Sequence, residues 1–250
     1  MSIDTLIRTA ARPSAEFTWA WALERRATEP LNERVLAALT AEPRAPPRAD
    51  GLILWFGVPG AGDWADLSNF LSEEERARAS SFRFDADRWS FAAAHAALRL
   101  LLGPMLGCAP HALRFAAGAH GKPRLDDDRH GATVQFNISH TRGCVAVAIA
   151  SCPVGVDVEQ RRALPDFMAV ARSAFAPATF DAIAVCSEGV ARTALFYRHW
   201  TLGEAFIKAT GEGIAQDLSS FAFTNQGAPS LTRVSADWGP LERWRFDCGP

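Results

Sequence analysis

The same order of elements is written twice along this chain. A strand-like run, a short helical stretch, a longer helical stretch and further strand-like runs fill residues 48–151 and then recur over 152–250. The first cycle opens on "LILWFG" (52–57). It continues through "SEEERARASSF", where Ser72 stands three residues before Glu75, as in a capping box. "DRWSFAAAHAALRLLLG" then carries an apolar stripe from Phe91 and Ala94 to Leu98, Leu101 and Leu102, which predicts a helix ending at Gly103. "TVQFNISH" and "CVAVAIA" follow as strands. The second cycle opens on "VGVDVE" and passes through "LPDFMAVARSAF" to the long "GVARTALFYRHWTLGEAFIKATG", with Gly211 as its C-cap. It closes with "SSFAFT" and "ERWRF". This order predicts an α+β fold of two similar halves related by a pseudo-twofold. The seam between such halves is a common place for a ligand cleft. Residues 1–47 stand outside the pattern and read as an N-terminal extension and linker. "FTWAWALERRATEPLNERVLAALTAE" is expected to form one or two short helices, and Pro-rich "AEPRAPPRAD" (41–50) to be the linker.

Composition excludes several classes. With 48% hydrophobic residues and a formal charge of −2, the chain looks neither like a general nucleic-acid binder nor like a membrane-surface protein. No apolar run reaches the roughly 20 residues of a membrane span, and the first residues lack the apolar core of a secretory signal. The five cysteines are odd in number and scattered, with no CxxC, so neither a disulfide framework nor a zinc ribbon is indicated. These features point to a cytoplasmic protein.

The chemistry concentrates at "VGVDVE". In a strand, Val154, Val156 and Val158 face one way, while Gly155, Asp157 and Glu159 face the other. A third acid, Glu204, lies four residues before Lys208 on one face of the second long helix. A solvated ion pair is the ordinary reading of that spacing, and a solvent-facing strand that of Asp-x-Glu. Taken together, Asp157, Glu159 and Glu204 are also a carboxylate set for Mg²⁺, a hard cation that leans on substrate phosphates for the rest of its shell. Lys122 and His140 precede the acidic strand, and Arg76, Arg78 and Arg83 follow the first capping box, as candidate phosphate contacts. "GVPGAGD" (57–63) has P-loop spacing, but Asp63 occupies the lysine position and would repel phosphate. HExxH and GxSxG are absent. Ser139 and His140 are neighbours on a strand and face opposite ways, which makes them a poor nucleophile–base pair.

Four segments in order, "GKP", "FNISH", "VGVDVE" and "FYRHWTLGEAFIKATGEGI", resemble the Sfp-type 4′-phosphopantetheinyl transferases. The resemblance runs from about residue 52 to 225. It implies two α+β halves with coenzyme A between them, and transfer of the 4′-phosphopantetheine arm to a serine of an apo acyl or peptidyl carrier protein. The other product would be 3′,5′-adenosine bisphosphate. It implies Mg²⁺ on Asp157, Glu159 and Glu204, with Lys208 beside the reacting phosphates. It also implies co-substrate contacts from Arg78, Lys122, Ser139 and His140. The proton acceptor for the serine is Glu204 or a metal-bound water. Neither nucleic acid nor membrane is an expected partner, and a monomer is expected. One position departs from the pattern: Gly203 stands where the family has lysine. That leaves open a weakly active or non-catalytic copy, or a charge supplied instead by Arg198. On charge alone, a lysine restored at 203 should tighten coenzyme A binding.

Overall fold

The computed structural model describes residues 7–11, 18–24, 30–31, 51–59, 67–118, 120–126, 134–141, 144–150, 152–161, 165–213, 217–238 and 240–248. The strands of the main sheet are β1 (Ile7–Ala11), β3 (Pro30–Leu31), β4 (Gly51–Pro59), β7 (Gln135–Thr141) and β8 (Cys144–Ala150), in the order β1-β4-β8-β7 with β3 beside β4. A second sheet joins β12 (Trp244–Cys248), β2 (Thr18–Glu24) and β9 (Val154–Glu159), all parallel. β5 (Phe115–Ala117) pairs with β6 (Pro123–Leu125), and β10 (Ala222–Phe223) with β11 (Leu231–Arg233). Among the described residues, five α-helices accompany these strands: α1 (Glu73–Ser80), α2 (Asp85–Met105), α3 (Phe167–Ala174), α4 (Pro177–Val185) and α5 (Val190–Thr210).

The fold is a mixture of helix and sheet, and the core shows how the layers stack. Every residue of β8 is buried. Val145, Val147 and Ile149 join the apolar side of α2, together with Trp55 and Phe136. Cys144, Ala146, Ala148 and Ala150 face the other way and pack with Val154, Val156 and Val158 of β9. β8 thus separates α2 from β9, and the valine face of β9 is the buried one, as its alternation predicts. The opposite face of β9 meets α5. A Cβ added to Gly155 would overlap the Ala205 carbonyl oxygen and the Ala209 nitrogen, and would stand 3.0 Å from the Lys208 carbonyl carbon. The missing side chain lets helix and strand backbones touch.

The local signals at the helix ends hold. Ser72 Oγ accepts from the Glu75 amide at 3.2 Å, and Glu75 Oε2 accepts from the Ser72 amide at 2.9 Å, completing the capping box. Gly211 ends α5 with φ +79°, and its N–H bonds the Ile207 carbonyl.

Three expectations are corrected. First, α2 runs past Gly103 to Met105 and includes Pro104. The bare Gly103 accommodates the Cys108 carbonyl as the chain folds back, and the Cys108 N–H bonds the Gly103 carbonyl at 2.9 Å. Second, residues 18–24 form a strand rather than a helix, with large residues at 19, 21 and 23 alternating with smaller ones at 20 and 22. That strand lies between β9 and β12, and β1 pairs with β4, so parts of 1–47 belong to both sheets. Most of the expected helical stretch and the 41–50 linker lie outside the described residues. Third, α4 was not anticipated. Pro177 opens it at a position where the missing N–H costs nothing.

Candidate active site

β9 is an edge strand of its sheet, and side chains rather than another strand close its open edge. The Asn137 Oδ1 atom accepts from the Val156 amide at 2.8 Å, and Ser139 Oγ accepts from the Val158 amide at 3.3 Å. Lys122 Nζ donates to the Val154 carbonyl at 2.9 Å. Buried backbone groups need partners, and these three come from the "GKP" and "FNIS" segments. The arrangement also fixes the functional groups behind it. Ser139 Oγ donates to Asp157 Oδ1 at 2.9 Å. Lys208 Nζ donates to the same carboxylate oxygen at 2.6 Å and to Ser139 Oγ at 3.1 Å. The lysine of the i, i+4 pair on α5 therefore reaches across to the strand.

Asp157 is 4% exposed, and its second oxygen, Oδ2, is buried without a hydrogen-bond partner. Glu204 is half-buried. Burial, and then the Asp157 charge, hold its carboxyl above the usual range, with Lys208 pulling the other way. Glu204 and Lys208 line a cleft of about 800 Å³, shared with His120, Lys122, Asn137 and Leu218. Burial lowers the Lys122 ammonium to about 8. Lys122 packs over Gly211, and His120 beside Gly213, so the "GKP" turn covers the C-terminal end of α5.

Of the nominated residues, the cleft gathers Lys122, Glu204 and Lys208, and Asp157 is tied to it through Lys208. Ser139, expected as a co-substrate contact, is buried and bonded to Asp157, Lys208 and β9, so its hydroxyl positions the acid and the lysine. His140 points the other way, as alternation requires, and is outside the cleft lining. Partial burial and the charges of His95 and Lys208 lower it, while Asp87 opposes them. Arg78 is exposed on α1 with its guanidinium 5.9 Å from the Phe91 ring centre, and Phe91 stacks on His95 at 4.1 Å. Arg78 meets α2 at Phe91, and His140 faces away from Ser139 on β7, with His95 and Asp87 of α2 among its charged neighbours. Glu159 ends β9, half-buried and on the Asp157 side of the strand by alternation.

Among the described residues, no three His, Cys, Asp or Glu side chains cluster closely enough to hold a metal ion. Asp157, Glu159 and Glu204 therefore do not form the ready-made three-carboxylate cage expected from the sequence. The chemistry of Asp157 and Glu204 suits a dication: it would partner the orphaned Oδ2 and offset the burial and the Asp157 charge that raise Glu204, and Mg²⁺ commonly takes only one or two protein carboxylates.

Gly203 also has a structural explanation. It is buried, and an added Cβ would overlap Leu218 Cδ2 and lie 3.4 Å from the Phe221 ring. A lysine at 203 would have to push the end of Leu218 aside, so its effect on coenzyme A binding is set by this contact as well as by charge. Arg198 does not replace that charge at the cleft, since its guanidinium donates to the Gly227 carbonyl at 2.7 Å. Sequence reasoning missed Asn137 as a strand cap and Leu218 as a cleft wall. Asn137 was visible as the polar residue two before Ser139 on the same face of a strand. Leu218 follows the long helix in a segment with no periodicity to mark it.

Comparison with known proteins now bears on this geometry. Residues 153–248 match the 4′-phosphopantetheinyl transferase superfamily, and residues 56–153 match the N-terminal region of 4′-phosphopantetheinyl transferases. The 4′-phosphopantetheinyl transferase HetI of Nostoc sp. is 32% identical over 71% of this chain and 75% of its own length. A phosphopantetheinyl transferase of Thraustochytrium sp. is 33% identical, over 69% of this chain and 64% of its own. The human L-aminoadipate-semialdehyde dehydrogenase-phosphopantetheinyl transferase is 29% identical over 66% and 56%. The chain belongs to the 4′-phosphopantetheinyl transferase superfamily. These matches give the reading of a non-catalytic copy no support. Among the described residues no helix is long and apolar enough to cross a membrane.

Proposed function

We propose that this protein transfers the 4′-phosphopantetheine arm of coenzyme A to a serine hydroxyl of an apo acyl or peptidyl carrier protein and releases 3′,5′-adenosine bisphosphate. The observation that carries the reading is the Asp157–Lys208 pair. A buried carboxylate gives one oxygen to an ammonium and leaves the other unpartnered, next to a cleft lined by Glu204 and Lys122. Phosphoryl transfer depends chiefly on positioning and on stabilising charge.

Asp157 and Glu204 would hold Mg²⁺, with Glu159 as a further candidate ligand. The ion would supply positive charge to the diphosphate of coenzyme A. Lys208 stabilises charge developing on the leaving phosphate, held in place by Asp157 and Ser139. Glu204, whose carboxyl is held above the usual range by burial and then by the Asp157 charge, is the cleft's candidate for taking the proton of the attacking serine. Lys122 offers charge to the phosphates from the other side of the cleft. Arg78 and His140 are assigned to the nucleotide end of the co-substrate along α2. The two halves, 48–151 and 152–250, stand in a pseudo-twofold relation in this reading, supported by the repeated element order and by family matches that meet at residue 153. The site is built from one chain, which suits a monomer acting in the cytoplasm.

The test is mass spectrometry of an apo carrier protein incubated with the protein, coenzyme A and Mg²⁺. A gain of about 340 Da, the mass of the group transferred, is expected, with none when a chelator removes the metal. Asp157→Ala and Glu204→Ala should each abolish the gain. Bound coenzyme A with an unmodified carrier would refute the reading.

A further inference from the structure

The cleft is asymmetric along α5. At one end, Lys122 and His120 lie over Gly211 and Gly213; at the other, Leu218 lies on Gly203. Eight residues of helix separate Gly203 from Gly211, which is about 12 Å at 1.5 Å per residue. Lys208 and Glu204 fall between. A ligand lying along this helix therefore meets the Lys122 ammonium at one end and the aliphatic Leu218, beside Asp217, at the other. Leu218 Cδ2 takes the space that a Cβ at 203 would need, so a side chain there would push the end of Leu218 aside. Leu218 also packs against two apolar clusters, one around Phe206 and Phe221 and the other around Phe175 and Phe196, so it is held from behind while still lining the cleft.

We propose that Leu218, seated on the bare Cα of Gly203, is a specificity-determining residue that receives the uncharged pantetheine arm of coenzyme A, while the phosphates lie toward Lys208 and Lys122. This rests on the function proposed above. The pantetheine arm is a chain of methylenes and neutral amides. A desolvated ammonium at 203 would contribute nothing to it, whereas an apolar wall excludes water from its methylenes. Gly203 and Leu218 thus act as one device in which the small residue makes room for the large one.

The experiment measures calorimetric affinity of wild type, Leu218→Ala, Gly203→Ala and Gly203→Ala/Leu218→Ala for two probes. One is coenzyme A. The other is 3′,5′-adenosine bisphosphate, which has the same nucleotide but no arm. Leu218→Ala should weaken coenzyme A about tenfold, the scale of losing an apolar contact in a pocket, with bisphosphate affinity unchanged. Gly203→Ala should weaken coenzyme A more than Leu218→Ala does, by forcing Leu218 into the cleft. The double variant should recover to the level of Leu218→Ala, because the clash is gone. Equal weakening of both probes, or of neither, would overturn the assignment, as would a double variant no better than Gly203→Ala. If Leu218→Ala does not fold, Gly203→Ala with both probes still decides. A wild-type protein that binds neither probe overturns the function itself, whereas wild-type transfer with unselective variants overturns only the role of Leu218.

Discussion

Gly155→Ala would test the most demanding contact in the molecule. The added methyl would enter the backbone of α5 at Ala205 and Ala209, which cannot rotate aside as a flexible side chain would. Relief requires strand and helix to part by about 1 Å, an overpacking response that typically costs ~1–3 kcal/mol. Lys208 rides on the helix and Asp157 on the strand, so their 2.6 Å bond would lengthen toward ~3.6 Å, beyond hydrogen-bond range. A 1 Å misplacement of catalytic groups can cost about a hundredfold in rate. The assay pairs carrier modification followed by mass with thermal unfolding of the same samples. The expected result is a drop in melting temperature of about 2–12 °C, at roughly 2–4 °C per kcal/mol for a chain this long, and a fall in kcat of about a hundredfold. A Gly155→Ala protein with wild-type kcat and stability would refute the claim that close approach of the backbones sets the active geometry.

Lys208→Ala should reduce transfer by about 10²–10³ and also destabilise the fold, since it leaves the buried Asp157 carboxylate without its cation; kinetics and urea unfolding read the two effects, and a rate loss without destabilisation would contradict the buried pairing. Ser139→Ala should lower kcat about tenfold while leaving the dissociation constant for coenzyme A nearly unchanged, because the hydroxyl positions Asp157 and Lys208; a larger effect on binding than on kcat would return Ser139 to the co-substrate. Stability should fall with acid in two stages. His199 is lowered to about 4 by burial and by Arg198. Its neutral form is favoured in the folded state, so the contribution is complete above pH 6.5 and is lost as pH falls through 4, by about 3 kcal/mol. Burial opposes ionisation of Glu75, but hydrogen bonds from His95 and Arg99 outweigh it and lower the acid to about 2, so its contribution is complete above pH 4.5 and disappears as pH falls toward 2. Urea midpoints that stay flat from pH 7 to 4 would contradict the first stage.

Much of this was legible because it is periodic. Alternation in "VGVDVE" placed the valines on the buried face and the acids on the other, and the capping box at Ser72 and Glu75 announced α1. The spacing of Glu204 and Lys208 put both on one side of α5. What stayed hidden depends on which element lies behind a residue. Gly155 reads as a weak strand residue until α5 is seen against it. Gly203 reads as a lost cation until Leu218 is seen in its place. Ser139 reads as a ligand contact because a hydroxyl carries no record of its partner, and here the partner is Asp157 on the neighbouring strand. The strand at 18–24 was missed because the acidic and basic residues after it drew the whole stretch into a helical reading.

The edge of β9 carries one more consequence. Three side chains from elsewhere, on Lys122, Asn137 and Ser139, stand where a neighbouring strand would otherwise dock. Left uncovered, an edge of this kind would invite strangers: another polypeptide could add itself to a row of open amides and carbonyls. The groups that shape the reaction site therefore double as a guard against self-association. A lesion at Asn137 should announce itself first as precipitate in the expression flask, well before any enzymologist notices a change in turnover.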